Sequence, residues 1–235
     1  DGAKEKDDTD STPLHIACQF GAPLGVVAAL LHVWPDAAKE KDIDSHTPLH
    51  IACRKEAPLE VLRSVLQAWP DVVKEKDING STPLHLACQN EAPLTVVNSL
   101  LQVYPDTVNE QNNTGATPLH FACHYWVPLE VIILLLNTWL SYTENRNESA
   151  ITTLQRDDFN LSRDAEMLFS HLFALYNNNA DNPSPNEIID YFIRIEVWNG
   201  ATLVLERHPT VFKTMGLDTK VMADFLSTVG RCCSL

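Results

Sequence analysis

The chain is short of positive charge. Its 235 residues carry 17 Lys and Arg against 31 Asp and Glu, a net charge of −14. Binding along a phosphate backbone needs clustered cations that release counterions, so nucleic acid is a poor partner. An anionic membrane surface is disfavoured for the same reason, and a basic or uncharged partner is easier to accommodate. Long apolar runs are lacking too. The longest, Val127 to Leu136, contains Glu130 and is too short for a bilayer span of about 20 residues. The opening run Asp1 to Asp10 is polar and shows no secretory signal. There is no phosphate loop, Gly-rich dinucleotide turn, nucleophile elbow or kinase signature. What remains is globular composition, 45% apolar and 20% charged. The expectation is an intracellular protein of the cytoplasm or nucleus, with one to two domains and no cofactor, metal, membrane or small-molecule ligand.

The chain repeats itself. Thr12-Pro13-Leu14-His15-Ile16-Ala17-Cys18 returns at Thr47 to Cys53, at Thr82 to Cys88 and at Thr117 to Cys123, with a spacing of 35 residues each time. Pro23, Pro58, Pro93 and Pro128 keep the register, as do Val26, Val61, Val96 and Val131, and then Trp34, Trp69, Tyr104 and Trp139. A fixed period of this length marks a stack of small units. Each unit reads as two short helices. Thr caps the first, and Pro follows where its missing donor costs nothing. The second opens at Pro58-Leu59 and carries Val61, Leu62, Val65 and Leu66, the stripe of a buried helix face. It ends at Trp69, because Pro70 disfavours helical dihedrals in the residue before it. Asp77-Ile78-Asn79-Gly80-Ser81 supplies turn formers ahead of the next Thr-Pro.

Asp77, Gly80, Thr82, Pro83, Leu84, His85 and Ala87 match the pattern Asp-x-x-Gly-x-Thr-Pro-Leu-His-x-Ala, so the unit resembles the ankyrin repeat. It is longer than the usual 33 residues. One extra residue is placed at Glu91-Ala92-Pro93 and the other near Tyr104-Pro105-Asp106. The resemblance covers residues 1 to about 140. It implies an all-α solenoid of stacked helix pairs with β-hairpin fingers. It also implies that His15, His50, His85 and His120 are hydrogen-bonding struts tying Thr to the finger.

Asp1 to Asp7 matches Asp36 to Asp42 at six of seven places. The chain is therefore expected to start in the tail of an earlier unit, as an N-terminally truncated fragment, with the apolar side of its first helix exposed. A fifth unit begins at Thr152-Thr153-Leu154-Gln155. It fails at Arg156-Asp157-Asp158, since adjacent carboxylates do not suit a buried face. The expected domains are a repeat domain over 1–145 and a degenerate linker with a helical region over 146–235. In the latter, Arg163 to Tyr176 has helical spacing and Asn177-Asn178-Asn179 ends it. Ser184-Pro185-Asn186-Glu187 is a capping box for a helix from 185 to about 198, broken at Asn199-Gly200. Leu205 to Pro209 echoes Leu66 to Pro70 and hints at a diverged repeat. Asp218 can cap a helix running to Val229.

Cys18, Cys53, Cys88 and Cys123 share one repeat position. Stacked helices lie about 8–10 Å apart and a disulfide needs Cα atoms within roughly 7 Å, so they read as small buried side chains. A row of equivalent ligands cannot close a tetrahedron around zinc, and the same geometry excludes a metal role for the histidine ladder. Cys232-Cys233 reads as a free thiol pair. The runs Lys-Glu-Lys-Asp at 4–7, 39–42 and 74–77 read as a solvated strip. Four glycosylation patterns, at Asn79, Asn112, Asn147 and Asn160, read as chance.

Function must be argued from the positions that differ between units. At the finger tips these include Ile43, His46 and Ile78. On the outer turn of the first helix they are Phe20, Arg54 and Lys55, Gln89 and Asn90, and His124, Tyr125 and Trp126. In the ankyrin family such positions line a concave face that grips other proteins. The expectation is a non-catalytic module that binds a protein partner there. Its alternatives are a targeting or substrate-recruiting region of a larger enzyme, such as a ligase adaptor or acyltransferase, and a structural spacer.

Overall fold

The computed structural model describes residues 2–155, 161–177 and 179–211. Among them all regular structure is helical and no strand occurs. Two compact units divide the chain, Asp1–Val131 and Ile132–Leu235.

In the first unit the helix pairs are α1 (Pro13–Gln19) with α2 (Leu24–Val33), α3 (Pro48–Arg54) with α4 (Leu59–Ala68), and α5 (Pro83–Gln89) with α6 (Leu94–Val103). Then come α7 (Pro118–His124) and α8 (Leu129–Leu140), which runs across the division. First helices pack on first helices, α1 on α3 on α5 on α7, and second helices pack as α2 on α4 on α6. Leu14, Leu49, Leu84 and Leu119 are buried along the first row, with the Ala and Cys of the same helices. Small residues let seven-residue helices approach closely, and burial of the row supplies the stability that so short a helix lacks alone.

The turn between the two helices is the same in three units. Gly21, Glu56 and Glu91 are left-handed (φ 62°, 52° and 53°). The N–H of the next residue donates five residues back, Ala22 to Ala17, Ala57 to Ala52 and Ala92 to Ala87, at 2.9–3.0 Å. After each second helix comes a 3-10 turn that the sequence did not announce: Pro35–Lys39, Pro70–Lys74 and Pro105–Asn109. It buries Ala37 and Ala38, Val72 and Val73, Thr107 and Val108.

Where hairpin fingers were expected, the chain makes tight turns. Asp42 N–H donates to the His46 carbonyl and Ser45 N–H to the Asp42 carbonyl. A single closing pair is too short to build a ladder of strand bonds.

The second unit holds the 3-10 turn Thr143–Asn145 and then α9 (Glu148–Thr152), α10 (Arg163–Ala174), α11 (Pro185–Arg194) and α12 (Trp198–Arg207). The expected helix from 185 to 198 is thus two elements. Its break is at Glu196 (φ 62°), and Gly200 lies inside α12. The glycine is there for closeness: a Cβ would meet Val197 Cγ1 at 2.7 Å and Phe192 Cδ2 at 2.9 Å. The α11–α12 turn has the geometry of the first unit. Glu196 falls three full periods after Glu91, and Val197 N–H donates to the Phe192 carbonyl at 2.8 Å. His208 N–H donates to Val204 as Trp69 does to Val65. Polar side chains close this unit. Asn199 donates to Asn137 through both its backbone N–H and its Nδ2, and Arg146 reaches the Leu140 carbonyl, Asn199 and Glu206. The break expected at Arg156-Asp157-Asp158, Asn160, Asn178, the helix expected from Asp218, and Cys232-Cys233 lie outside the described residues.

Candidate functional site

The finger turns are set by one carboxyl or amide. Asp7, Asp42, Asp77 and Asn112 each accept through Oδ1 from the N–H groups two and four residues on, at 2.8–3.0 Å. The residue three after it is left-handed: Asp10, Ser45, Gly80 and Gly115. Neighbouring fingers are joined by one backbone bond each, from Ile43 N–H to Thr9, Ile78 N–H to Asp44 and Asn113 N–H to Asn79.

The histidine ladder is structural. His15, His50 and His85 are buried. Each Nδ1 receives the backbone N–H of its own Thr at 3.1 Å. Each Nε2 meets a carbonyl of the following unit, that of His46, Ser81 or Ala116, at 3.0–3.2 Å. A carbonyl only accepts, so Nε2 carries the proton and the ring is neutral. Burial agrees: it lowers His15, pushes His50 down to about 3 and His85 down to about 4. The strut therefore ties the Thr of one unit to the finger of the next, a link between copies that the sequence did not reveal.

The charged runs form a second link between units. Lys6 pairs with Glu40, Lys41 with Glu75 and Lys76 with Glu110, each at 2.8 Å, with side chains only 31–41% exposed. Lys41 and Lys76 also donate to the carbonyls of Lys76 and Gln111. What read as a solvated strip is a ladder of cross-unit pairs. Cys18, Cys53, Cys88 and Cys123 are all buried; burial pushes the Cys18 thiol up to about 12 and raises those of the other three.

The variable positions divide into two groups. His46 is buried, not presented: it is 5% exposed, with Nδ1 3.4 Å from Asp42 and Nε2 3.7 Å from Asp77. Ser11, Ser81 and Ala116 at the same position are buried too, so the last finger residue faces inward by construction. Ile43, Ile78, Phe20 and Trp126 are 58–75% exposed. Lys55 is exposed; Arg54, Gln89, Asn90, His124 and Tyr125 are half-buried. Gln89 Nε2 donates to the Tyr125 hydroxyl at 3.2 Å, Asn90 Nδ2 turns back to the Leu86 carbonyl, and His124 meets Tyr125 edge-on at 4.9 Å. Among the described residues no group of three His, Cys, Asp or Glu could hold a metal ion, and no helix is long and apolar enough to cross a membrane.

Residues 59–146 match the family model of ankyrin repeats in three copies, and the C-terminal part matches no family model. No curated protein matches the chain. Residues 59–146 are thus ankyrin repeats, and such repeats are generally protein-interaction modules and typically non-catalytic.

Proposed function

We propose that the chain is a non-catalytic module that grips a protein partner along the face carrying its finger tips and first-helix tips. One observation supports this reading most directly. Scaffold positions of the repeat are buried in unit after unit, whereas Ile43, Ile78 and Trp126 hold large apolar side chains in the open, even though the backbone N–H groups of Ile43 and Ile78 join neighbouring fingers. Exposed aromatic and apolar anchors are the groups that contribute most at interfaces, and half-buried Tyr125, held by Gln89, adds a rigid one. Arg54 and Lys55 on the tip of α3 supply cations to an otherwise acidic chain and would set orientation rather than raw affinity.

The test replaces Ile43, Ile78 and Trp126 with Ser and Tyr125 with Phe, in one chain. Helix content should stay that of the parent, and binding to a partner isolated with the parent chain should fall by at least about tenfold. Unchanged affinity would remove the assigned face.

A further inference from the structure

Lys41, Arg54 and Arg146 are the half-buried Lys and Arg side chains among the described residues. Lys41 pairs with Glu75 and Arg146 with Glu206. Arg54, the last residue of α3, makes no hydrogen bond or ion pair with any described residue. Its Nε is sealed from water and meets no acceptor. A guanidinium cannot lose its charge at ordinary pH, so holding it partly buried and unpaired costs stability. The stack does not supply the missing acceptor. Gln89, one repeat on, reaches the Tyr125 hydroxyl of the next unit. The same step along the chain from Arg54 leads to Asn90, whose amide turns back to the Leu86 carbonyl. Glu56 and Glu91, on the turns that follow α3 and α5, are exposed and leave it unpaired.

We infer that Arg54 is the subsite for one carboxylate of the partner, and that the partner's contact segment is an extended stretch pairing this Asp or Glu with an apolar side chain at Trp126. The inference rests on the face assigned above and adds the chemistry of its occupant. The planar fork of a guanidinium takes a carboxylate through two parallel bonds, which an amide or a carbonyl cannot match. Lys55 beside it is exposed and adds attraction at a distance. One half-buried cation near exposed glutamates, in a chain of net charge −14, suits a single carboxylate rather than a polyanion or a doubly charged phosphate. Arg54 and Trp126 stand two repeats apart. With helices packed about 8–10 Å apart, that is roughly 16–20 Å, or about five to six residues of extended chain.

The probe is a displayed library of random peptides about fifteen residues long, which outreaches that span. It is selected on the whole chain. Retained peptides should carry Asp or Glu with an aromatic or aliphatic residue about five to six places away. Exchanging their acid for the matching amide should weaken binding to the parent by about tenfold, and to an Arg54→Gln chain by less than about twofold. Trp126→Ser should weaken every one of them, and Arg54→Glu should favour the same peptides with Lys in place of the acid. Gln19 and Gln89 hold this position in neighbouring copies, so Arg54→Gln suits the fold, and the unfolding midpoint of the free chain should hold or rise. Peptides that depend on Trp126 yet bind as well with the amide as with the acid overturn the inference and leave the face standing. So does a preference for phosphoserine over Glu. So does a lower midpoint in Arg54→Gln, which would make Arg54 a brace of the stack. A library from which no Trp126-dependent peptide emerges removes the face as well.

Discussion

The helix pair α3–α4 and the helix pair α11–α12 share a turn but not the means of starting it. In α3 the cap is Thr47, and the group that answers it is buried His50, whose other nitrogen is committed to the next unit. In α11 the cap is Ser184, answered by Glu187, both exposed and both satisfied within four residues. The first arrangement couples neighbours and is shielded from water. The second is local and open to it. The difference shows that the same turn forms without the signature residues. Thr-Pro-Leu-His records a bond between copies, whereas the left-handed residue and the five-residue return bond record only the path of the chain.

Acid should separate the two arrangements most strongly. Folding holds His50 and His85 below their ordinary value of 6.5, at about 3 and about 4. The unfolded chain therefore takes up protons first as the pH falls. The stability these residues contribute is complete above pH 6.5 and is lost as the pH drops towards 4, at up to about 1.4 kcal/mol per pH unit for each. Denaturant titrations at pH 7, 5.5 and 4.5 should show this fall, and His50→Gln should flatten part of it. Glu187 is held below its ordinary range by Ser184, so its contribution persists above that range and goes only in stronger acid.

His50→Ala should come next, costing about 2–3 kcal/mol, because it leaves the buried Thr47 N–H without its acceptor and takes from the Ser81 carbonyl one of its two donors, the Asp77 N–H remaining. Glu187→Ala, on an exposed cap, should cost about 1 kcal/mol or less. Equal losses in the two variants would mean that the strut is no more than a cap. Gly200→Ala should destabilise by roughly 1–3 kcal/mol, since Phe192 must give way to the added methyl group. The smallest effect is a gain. Glu56→Gly and Glu196→Gly should each stabilise by up to about 1 kcal/mol by relieving a left-handed side chain. A gain at Glu56 alone would show that the two turns are not equivalent after all.

Much of the first unit was legible from the sequence because its information is local and repeated. Thr-Pro placed the start of each first helix, Val61, Leu62, Val65 and Leu66 placed a buried face, and Pro70 placed an end. What escaped depends on neighbours. The His50 bond to Ser81 spans 31 residues, and nothing near either residue announces it. The Lys41–Glu75 pair looked like solvated charge because a run of mixed sign usually is one. His46 looked free because it varies, yet variation at an inward position reflects what fits beside Asp42 and Asp77. Gly200 was misread for a related reason: without the partner helix in view, a glycine needed for close approach looks like a breaker. Of the candidate binding face, residue types were legible, but exposure was not, and that sorted Ile43 and Trp126 from His46.

The cysteine row has a practical outcome. Every copy in the first unit keeps a single thiol sealed at the same level, with its proton held tightly by burial. An alkylating reagent can reach it only when that copy parts from its neighbours. Mass spectrometry of partly modified chains would thus report the sequence in which the stack comes undone, copy by copy, with no probe introduced by design.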